Sequence, residues 1–277
     1  PDPATYAVLS WGKSPERIAR FICDVYTPDN RPFEGDPRSI LKKAIGEAHD
    51  LGFQFYTGPE LEFYLFKNDS GVAGPAEHDR AGYFDFSPRD MASRIRRDII
   101  LALQGVGIVV ETSHHEVGPG QHEIDFRYTN ALEAADNILT LKYTVKAIAA
   151  KHGLIASFMP KPIFGINGSG MHCHQSLFDQ DAKNLFYNAN DEFHLSEIAY
   201  GYIAGQLTHA RALAAIVAPT INSYKRLVPG YEAPVYVGWA HINRSALIRI
   251  PHYTTGREKS IRAELRCPDP SANPYIA

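Results

Sequence analysis

The residues with the most chemistry to offer lie at alternate positions of short β-rich runs. Successive side chains of a strand point to opposite faces. In Thr57-Gly58-Pro59-Glu60-Leu61-Glu62-Phe63-Tyr64-Leu65-Phe66, Glu60 and Glu62 therefore share one face, and Leu61, Phe63 and Leu65 the other. The same count aligns Glu123, Asp125 and Arg127 in one run and His172, His174 and Ser176 in another, and it aligns Arg262, Glu264 and Arg266 in a third. Each face alone is what a sheet wetted on one side presents, and alternating Arg and Glu make ordinary cross-strand pairs. Together they are unusual, because they hold Glu, His and Arg with almost no Lys and lie among Gly-rich turns, Gly118-Pro119-Gly120 and Asn167-Gly168-Ser169-Gly170. Brought to one concave surface, they deliver Glu60, Glu62, Glu123, His172 and Glu264, joined by Glu116 just ahead of its turn. Five carboxylates gathered without cations would repel, and some would hold protons. Divalent metals resolve the conflict. An oxygen-dominated ligand set favours Mg²⁺ or Mn²⁺ over Zn²⁺, and six ligands suit two ions better than one. Arg226, Arg244, Arg249, Arg262 and Arg266 supply the opposite charge, with the fork that binds phosphate or carboxylate in pairs. Two metals and an arginine cluster are the ingredients of phosphoryl transfer.

These residues need elements to position them. Asp36-Pro37 opens a helix whose stripe of Ile40, Leu41, Ala44, Ile45 and Ala48 stops before Gly52. Ser87-Pro88 opens a second, carrying Met91, Ile95, Ile99 and Leu103 to about Gly105. A third is expected from Ala131 to His152, ended by Gly153, and a fourth from Ser196 to Ala218, before Pro219. Strands are expected at Tyr6–Leu9, Ala19–Tyr26, Gln54–Phe66, Val106–Thr112, Glu123–Tyr128, Gly170–Phe178, Ala246–Ile250 and Ser260–Arg266. Helices do not follow every strand, so the pattern is α+β on a largely antiparallel sheet rather than a βαβ repeat. Residues 67–82 are polar and Gly-rich and read as a surface loop.

The chain has 277 residues with 44% hydrophobic and 21% charged side chains, and its formal net charge is −3. That composition is globular, and the charge argues against a non-specific nucleic-acid binder. No apolar run approaches the roughly 20 residues of a membrane span, and no signal peptide is visible at the start. Cys23, Cys173 and Cys267 are too few for a disulfide framework and are read as small buried hydrophobes in a reducing compartment. Gly12-Lys13-Ser14 looks like the end of a phosphate-binding loop, but Ala7 stands where the first glycine is required. Gly105-Val106-Gly107 and Gly168-Ser169-Gly170 lack the third glycine of a dinucleotide fingerprint, and His115-Glu116 lacks the second His of a zinc protease.

Longer motifs carry a resemblance. Glu60-Leu61-Glu62-Phe63, the run from His114 to Glu123, Asn167 to Ser176, Asn222 to Pro234 with its Gly230-Tyr231-Glu232-Ala233-Pro234, Asn243-Arg244-Ser245 and Arg262 to Arg266 resemble, in order and over nearly the whole chain, the bacterial and archaeal (type I) glutamine synthetases. The short 67–82 loop resembles the alpha subgroup. The resemblance implies a catalytic domain built on a curved, largely antiparallel sheet, a half-barrel, flanked by helices. It implies an ATP-dependent ligase that joins ammonia to the side chain of glutamate through γ-glutamyl phosphate. It assigns Glu62, Glu116 and Glu123 to the metal nearer glutamate and ammonia, and Glu60, His172 and Glu264 to the metal on the ATP phosphates. Arg244 is expected on the γ-phosphate and glutamate, and Arg262 on the phosphate side. Glu111, His174, Ser176 and Arg249 are expected on the nucleotide. Asn167, Gly168, Arg226 and Arg266 are expected on glutamate. Glu232 is expected on the flap that closes over the acyl phosphate and takes a proton from ammonium.

The family pattern also implies a cytoplasmic homo-oligomer, a dodecamer of two hexameric rings with active sites between subunits, and no nucleic-acid or membrane partner. It places residues 1–26 in what is left of an N-terminal β-grasp domain and 27–277 in the catalytic domain, with family sequence expected beyond both ends. A γ-glutamyl-amine ligase of the same family and a catalytically silent relative are the alternative readings. The intact flap motif speaks against the first, and the six retained ligands against the second.

Overall fold

The computed structural model describes residues 1–11, 18–67, 74–75, 79, 81–85 and 92–277. The Gly12-Lys13-Ser14 motif, most of the 67–82 loop and the Ser87-Pro88 helix start with Met91 lie outside the described residues.

The strands are β1 (Asp2–Leu9), β2 (Ile18–Ile22), β3 (Gln54–Lys67), β4 (Gly74–Pro75), β5 (Val110–His115), β6 (Gln121–Phe126), β7 (Thr129–Asn130), β8 (Leu154–Ser157), β9 (Met171–Phe178), β10 (Trp239–His241), β11 (Ile248–Ile250) and β12 (Ala263–Leu265). The helices are α1 (Pro37–Asp50), α2 (Ala92–Gly105), α3 (Ala131–Lys151), α4 (Glu197–Thr208), α5 (Ala210–Val217) and α6 (Ile221–Arg226). β1 and β2 form a separate hairpin. The other ten strands form one open sheet in the order β10-β11-β12-β9-β3-β6-β5, with β4, β7 and β8 also pairing with β3. All its pairings are antiparallel except β10 with β11. The expected α+β class and largely antiparallel sheet are what the chain adopts.

β3 is the axis. It pairs with β9 on one side and β6 on the other, setting Glu60 opposite both His172 and Asp125, and Glu62 opposite Glu123. Period 2 sends the intervening residues to the other face. There Leu61, Phe63 and Leu65, none more than 1% exposed, pack with Ile95, Ile99 and Leu103 of α2 and Leu141 and Val145 of α3. A second apolar cluster joins Ile248, Ile250 and Leu265 to Ala199 and Ile203 of α4 and Val217 of α5. The helices therefore cover one face, and the charged positions are left on the other.

Caps explain the helix starts. Asp36 accepts the Ser39 N–H at 3.2 Å, with Pro37 in the first turn. Asn130 accepts from Glu133 N–H at 3.0 Å, and Ser196 from Ala199 N–H at 3.2 Å. Gly52 and Gly153 take φ of 83° and 72° just beyond α1 and α3, a conformation other residues adopt at a cost.

Some expectations change. The fourth helix is two, interrupted at His209; the Thr208 hydroxyl donates to the Ala204 carbonyl at 2.8 Å, a back-bond that bends helices. The α1 stripe is not core: Ile40 is 44% exposed, and Arg38 is the buried residue of that helix. Its guanidinium reaches Asp2 at 2.8 Å, Asp24 at 2.7 Å and Asp136 at 2.9 Å, so a buried ion cluster docks α1 onto α3 and the hairpin. Cys173 and Cys267 are buried but Cys23 is exposed. Strands β8 and β10 and the short helix α6 are additions. Two β expectations are displaced: β5 begins at Val110 rather than Val106, because Val106-Gly107 still cap α2 through Leu103 and Gln104 carbonyls, and β2 ends at Ile22.

Ile124 is fully buried between the sheet and α2. Ile124→Ala is expected to cost about 2–5 kcal/mol by leaving a cavity directly behind the charged face. Urea unfolding measures this, and a loss under about 1 kcal/mol would mean the site's backing is looser than described.

Candidate active site

The charged face encloses a cavity of about 230 Å³ whose walls include Glu60, Glu62, Glu116, Glu123, His172, Asn167, Gly168, Arg226, Glu232, Arg244, Arg249 and Arg266. A second cavity of about 390 Å³ adjoins it, lined by Glu111, His174, Ser176 and Arg262, with Glu60, Thr112 and Asp125 common to both. Glu264 is fully buried beneath them. Every expected site residue is thus brought to one of two joined cavities or to their floor. Arg249, expected with the nucleotide residues, lines the first cavity instead of the second. Arg127 does not join its strand-mates; it is exposed and pairs with Glu111 at 3.6 Å.

Among the described residues four groups of potential ligand atoms fall within 4.8 Å of one another: Asp79 with His115 and His122, His114 with Glu123 and Asp125, and two sets that share His172, Glu60 with His172 and Glu264 and Glu62 with Glu123 and His172. Both sets that share His172 are mostly oxygen with one imidazole, the donor chemistry of Mg²⁺ or Mn²⁺. Glu116 lines the same cavity but is in neither set; its Oε1 is 3.5 Å from His114 Nδ1.

Electrostatics show what the cluster costs. Burial, then the neighbouring Glu62, pushes the Glu116 carboxyl up to about 8. Burial, then Asp125 and Glu62, raises Glu123, and burial, then Glu60, pushes Asp125 up to about 7. All three are shifted toward the protonated form, and a divalent cation would reverse that shift. Glu60 goes the other way. Burial would raise it, but His174 and His172 outweigh burial and hold it well below the carboxylate range. Glu264 is likewise lowered against burial, by His174, His172 and two arginines. Its carboxylate accepts from both Arg249 and Arg266. Burial and then Arg266 lower His172, keeping it the neutral imidazole that a metal requires.

Hydrogen bonds fix the tautomers. Arg262 only donates, so the His174 Nδ1 at 2.9 Å accepts, and its Nε2–H donates to Glu60 at 2.6 Å. The His172 Nδ1 donates to the other Glu60 oxygen at 3.3 Å, which leaves its Nε2 with a lone pair. Glu62 accepts from the Gly170 N–H at 2.8 Å and from Gln121 at 3.0 Å. Gly168 and Gly170 are forced by crowding. A Cβ at 168 would meet the Pro160 carbonyl at 2.4 Å, and one at 170 the Arg226 guanidinium at 2.5 Å. Arg226 is buried and donates to the carbonyls of Cys267, Pro268 and Arg266 at 3.0–3.1 Å. Arg244 donates to Tyr83 at 3.1 Å.

Four contributors carried no role in the sequence reading. Asp125 lines both cavities, and its place two residues after Glu123 was the available signal. Gln121 anchors Glu62, and His114 holds Glu123 at 2.9 Å. Tyr83, which packs against Phe84 and His114, had no periodic pattern to mark it.

This arrangement, an open antiparallel sheet presenting paired cation-ligand sets beside an arginine-lined cavity, is that of a glutamine synthetase catalytic domain. The family so described, "Glutamine synthetase, catalytic domain", matches residues 34–277, and the chain belongs to that family. It is 54% identical over its whole length to the glutamine synthetase of Clostridium saccharobutylicum and covers 62% of that relative. It is 54% identical to that of Thermus thermophilus over 282 aligned positions, covering all of this chain and 62% of the relative. The cryoEM structure of Plasmodium falciparum glutamine synthetase superposes with a TM-score of 0.89 at 31% identity, covering 98% of this chain and 58% of that one. The chain thus spans about three-fifths of the length of the relatives it matches.

The raised carboxyls give a signed prediction. Glu116 takes up its proton near pH 8 when folded and near 4.5 otherwise, so the folded state binds more protons across that window. Its contribution to the stability of the metal-free protein is therefore greatest at the acid end and is lost as pH rises through that window, whereas His114, His122 and His172, lowered by burial, contribute in the opposite direction. Glu116→Gln removes the first contribution alone, so the melting temperature of the metal-free wild type relative to that variant is expected to fall from pH 5 to 8, and less so in saturating Mn²⁺. A wild-type margin that rises over that range would contradict the assignment.

Proposed function

We propose that the protein carrying this chain ligates ammonia to the γ-carboxylate of L-glutamate with ATP, through γ-glutamyl phosphate, giving L-glutamine, ADP and phosphate. The observation that carries this reading is the meeting of two cation-ligand sets at His172, in a cavity whose other walls are arginines and Glu232. Glu62, Glu116 and Glu123 would hold one divalent cation, and Glu60, His172 and Glu264 a second, as Mg²⁺ or Mn²⁺. Bound there, the ions would neutralise phosphate charge and the carboxylate cluster.

The chain's own residues do the rest. Asn167, Gly168, Arg226 and Arg266 form the wall at which glutamate binds, with Arg226 locked by its three carbonyls. Glu111, His174 and Ser176 line the adjoining cavity, which takes the nucleotide. Arg262, tied to His174, faces the same cavity and stabilises charge on the transferring phosphoryl group. Arg244 approaches the γ-phosphate and the glutamate side chain, and Arg249 reaches the phosphates from the floor beside Glu264. Glu232, exposed at the rim, covers the acyl phosphate and accepts a proton from ammonium, leaving ammonia as the nucleophile. Family membership extends the reading to a ligase of glutamine biosynthesis and nitrogen metabolism, working in the cytoplasm as a dodecamer of two hexameric rings whose active sites lie between subunits. No helix among the described residues is long and apolar enough to cross a membrane.

Glu232→Ala is expected to abolish ammonia-dependent synthesis while ATP still binds in the presence of Mn²⁺, as read by calorimetry. Full synthesis by that variant would remove Glu232 from the mechanism. Rates with ammonia, methylamine and putrescine should favour ammonia by at least about 100-fold. A preference for either amine would instead assign a γ-glutamyl-amine ligase.

A further inference from the structure

Lys161 has no part in the site as described, yet its environment is unusual. It is 7% exposed, and among the described residues its ammonium has no hydrogen-bond partner. A buried cation without an acceptor is costly and calls for a reason. Its charge rests on the face of Tyr231, 3.6 Å from the ring centroid. Two other lysines, Lys142 and Lys146, lie over Phe158 at 5.7 and 5.9 Å, and Lys142 also donates to the Pro270 carbonyl. Among the described residues Lys161 therefore makes the closest such contact.

The Lys161 backbone cannot drift. Its N–H donates to Asn222 Oδ1 at 2.7 Å, and its carbonyl accepts from Asn222 Nδ2 at 3.0 Å, so α6 clamps it on both sides. Tyr231 is the opposite case. It sits between Gly230 at φ 92° and Glu232 at φ 57°. A left-handed conformation is costly for a non-glycine residue and persists only where its surroundings impose it. Tyr231 and Glu232 both line the first cavity.

We infer that Lys161 is a positioning residue, a cation–π latch that holds Tyr231 and thereby sets the carboxylate of Glu232 at the mouth of the cavity. The latch joins a clamped loop to a strained turn, so the catalytic reach of Glu232 depends on a residue that touches no substrate. Arginine at 161 preserves the interaction; methionine matches the side chain's length and removes the charge. This inference deepens the proposed function and rests on it for its kinetic arm.

The test uses the assembled protein and four variants. Lys161→Met is expected to lower kcat for ammonia-dependent synthesis roughly ten- to thirtyfold, with KM for ATP changed by less than about twofold. Phosphate released per glutamine formed should rise above parity, because a loosened turn admits water. Lys161→Arg should restore most of the rate. Tyr231→Leu should match Lys161→Met, and the double variant should be no slower than either alone, since both break one contact. A second readout needs no activity: chymotryptic cleavage after Tyr231 should quicken in Lys161→Met and not in Lys161→Arg. Unchanged kcat and unchanged cleavage in Lys161→Met, or additive losses in the double variant, would overturn the latch. A wild type that cleaves slowly at Tyr231 but makes no glutamine would instead overturn the proposed function and leave the latch standing.

Discussion

Repulsion among the carboxylates of Glu60, Glu62, Glu116, Glu123 and Asp125 in one largely buried cavity sets the terms for the elements around it. Held together without cations, Glu116, Glu123 and Asp125 are raised above the usual carboxylate range, by burial first and by their acidic neighbours second. The fold has to supply enough rigidity to keep them there. It does so through β3, which pairs along much of its length with β6 and β9 and carries Leu61, Phe63 and Leu65 into the core behind. The same backbone alternation that gathers the charges buries the residues that hold them in place.

Opposite charge is layered around this cluster. His172 and His174 lie against Glu60, and Arg249 and Arg266 against Glu264, and these neighbours lower both carboxylates against the effect of burial. Glu116 and Glu123 are raised instead, by burial and by acidic neighbours. The asymmetry gives the two candidate cation positions different proton costs.

Much of this was legible in the sequence. Period-2 alternation placed Glu60, Glu62, Glu123, His172, His174 and Glu264 on one surface, because strand geometry leaves little freedom. Helix starts were legible where Asp36, Asn130 or Ser196 stand as caps. The pattern did not reveal features that depend on contacts across long sequence separations. The hold of Gln121 on Glu62, the three carbonyls that fix Arg226, and Arg38 binding three aspartates are of that kind. The break at His209 has no Gly or Pro at that position to mark it. The 40–48 stripe has helical period yet stays open, because α1 docks through Arg38 instead of its aliphatic side.

We propose that the acidic cavity takes two divalent cations, one on Glu62, Glu116 and Glu123 and one on Glu60, His172 and Glu264. Counting bound Mn²⁺ by electron paramagnetic resonance and calorimetry tests this most directly. The account predicts two ions per chain in the assembled protein and one in Glu264→Gln or His172→Ala. A single ion in the wild type, or two ions unaffected by either substitution, would contradict it.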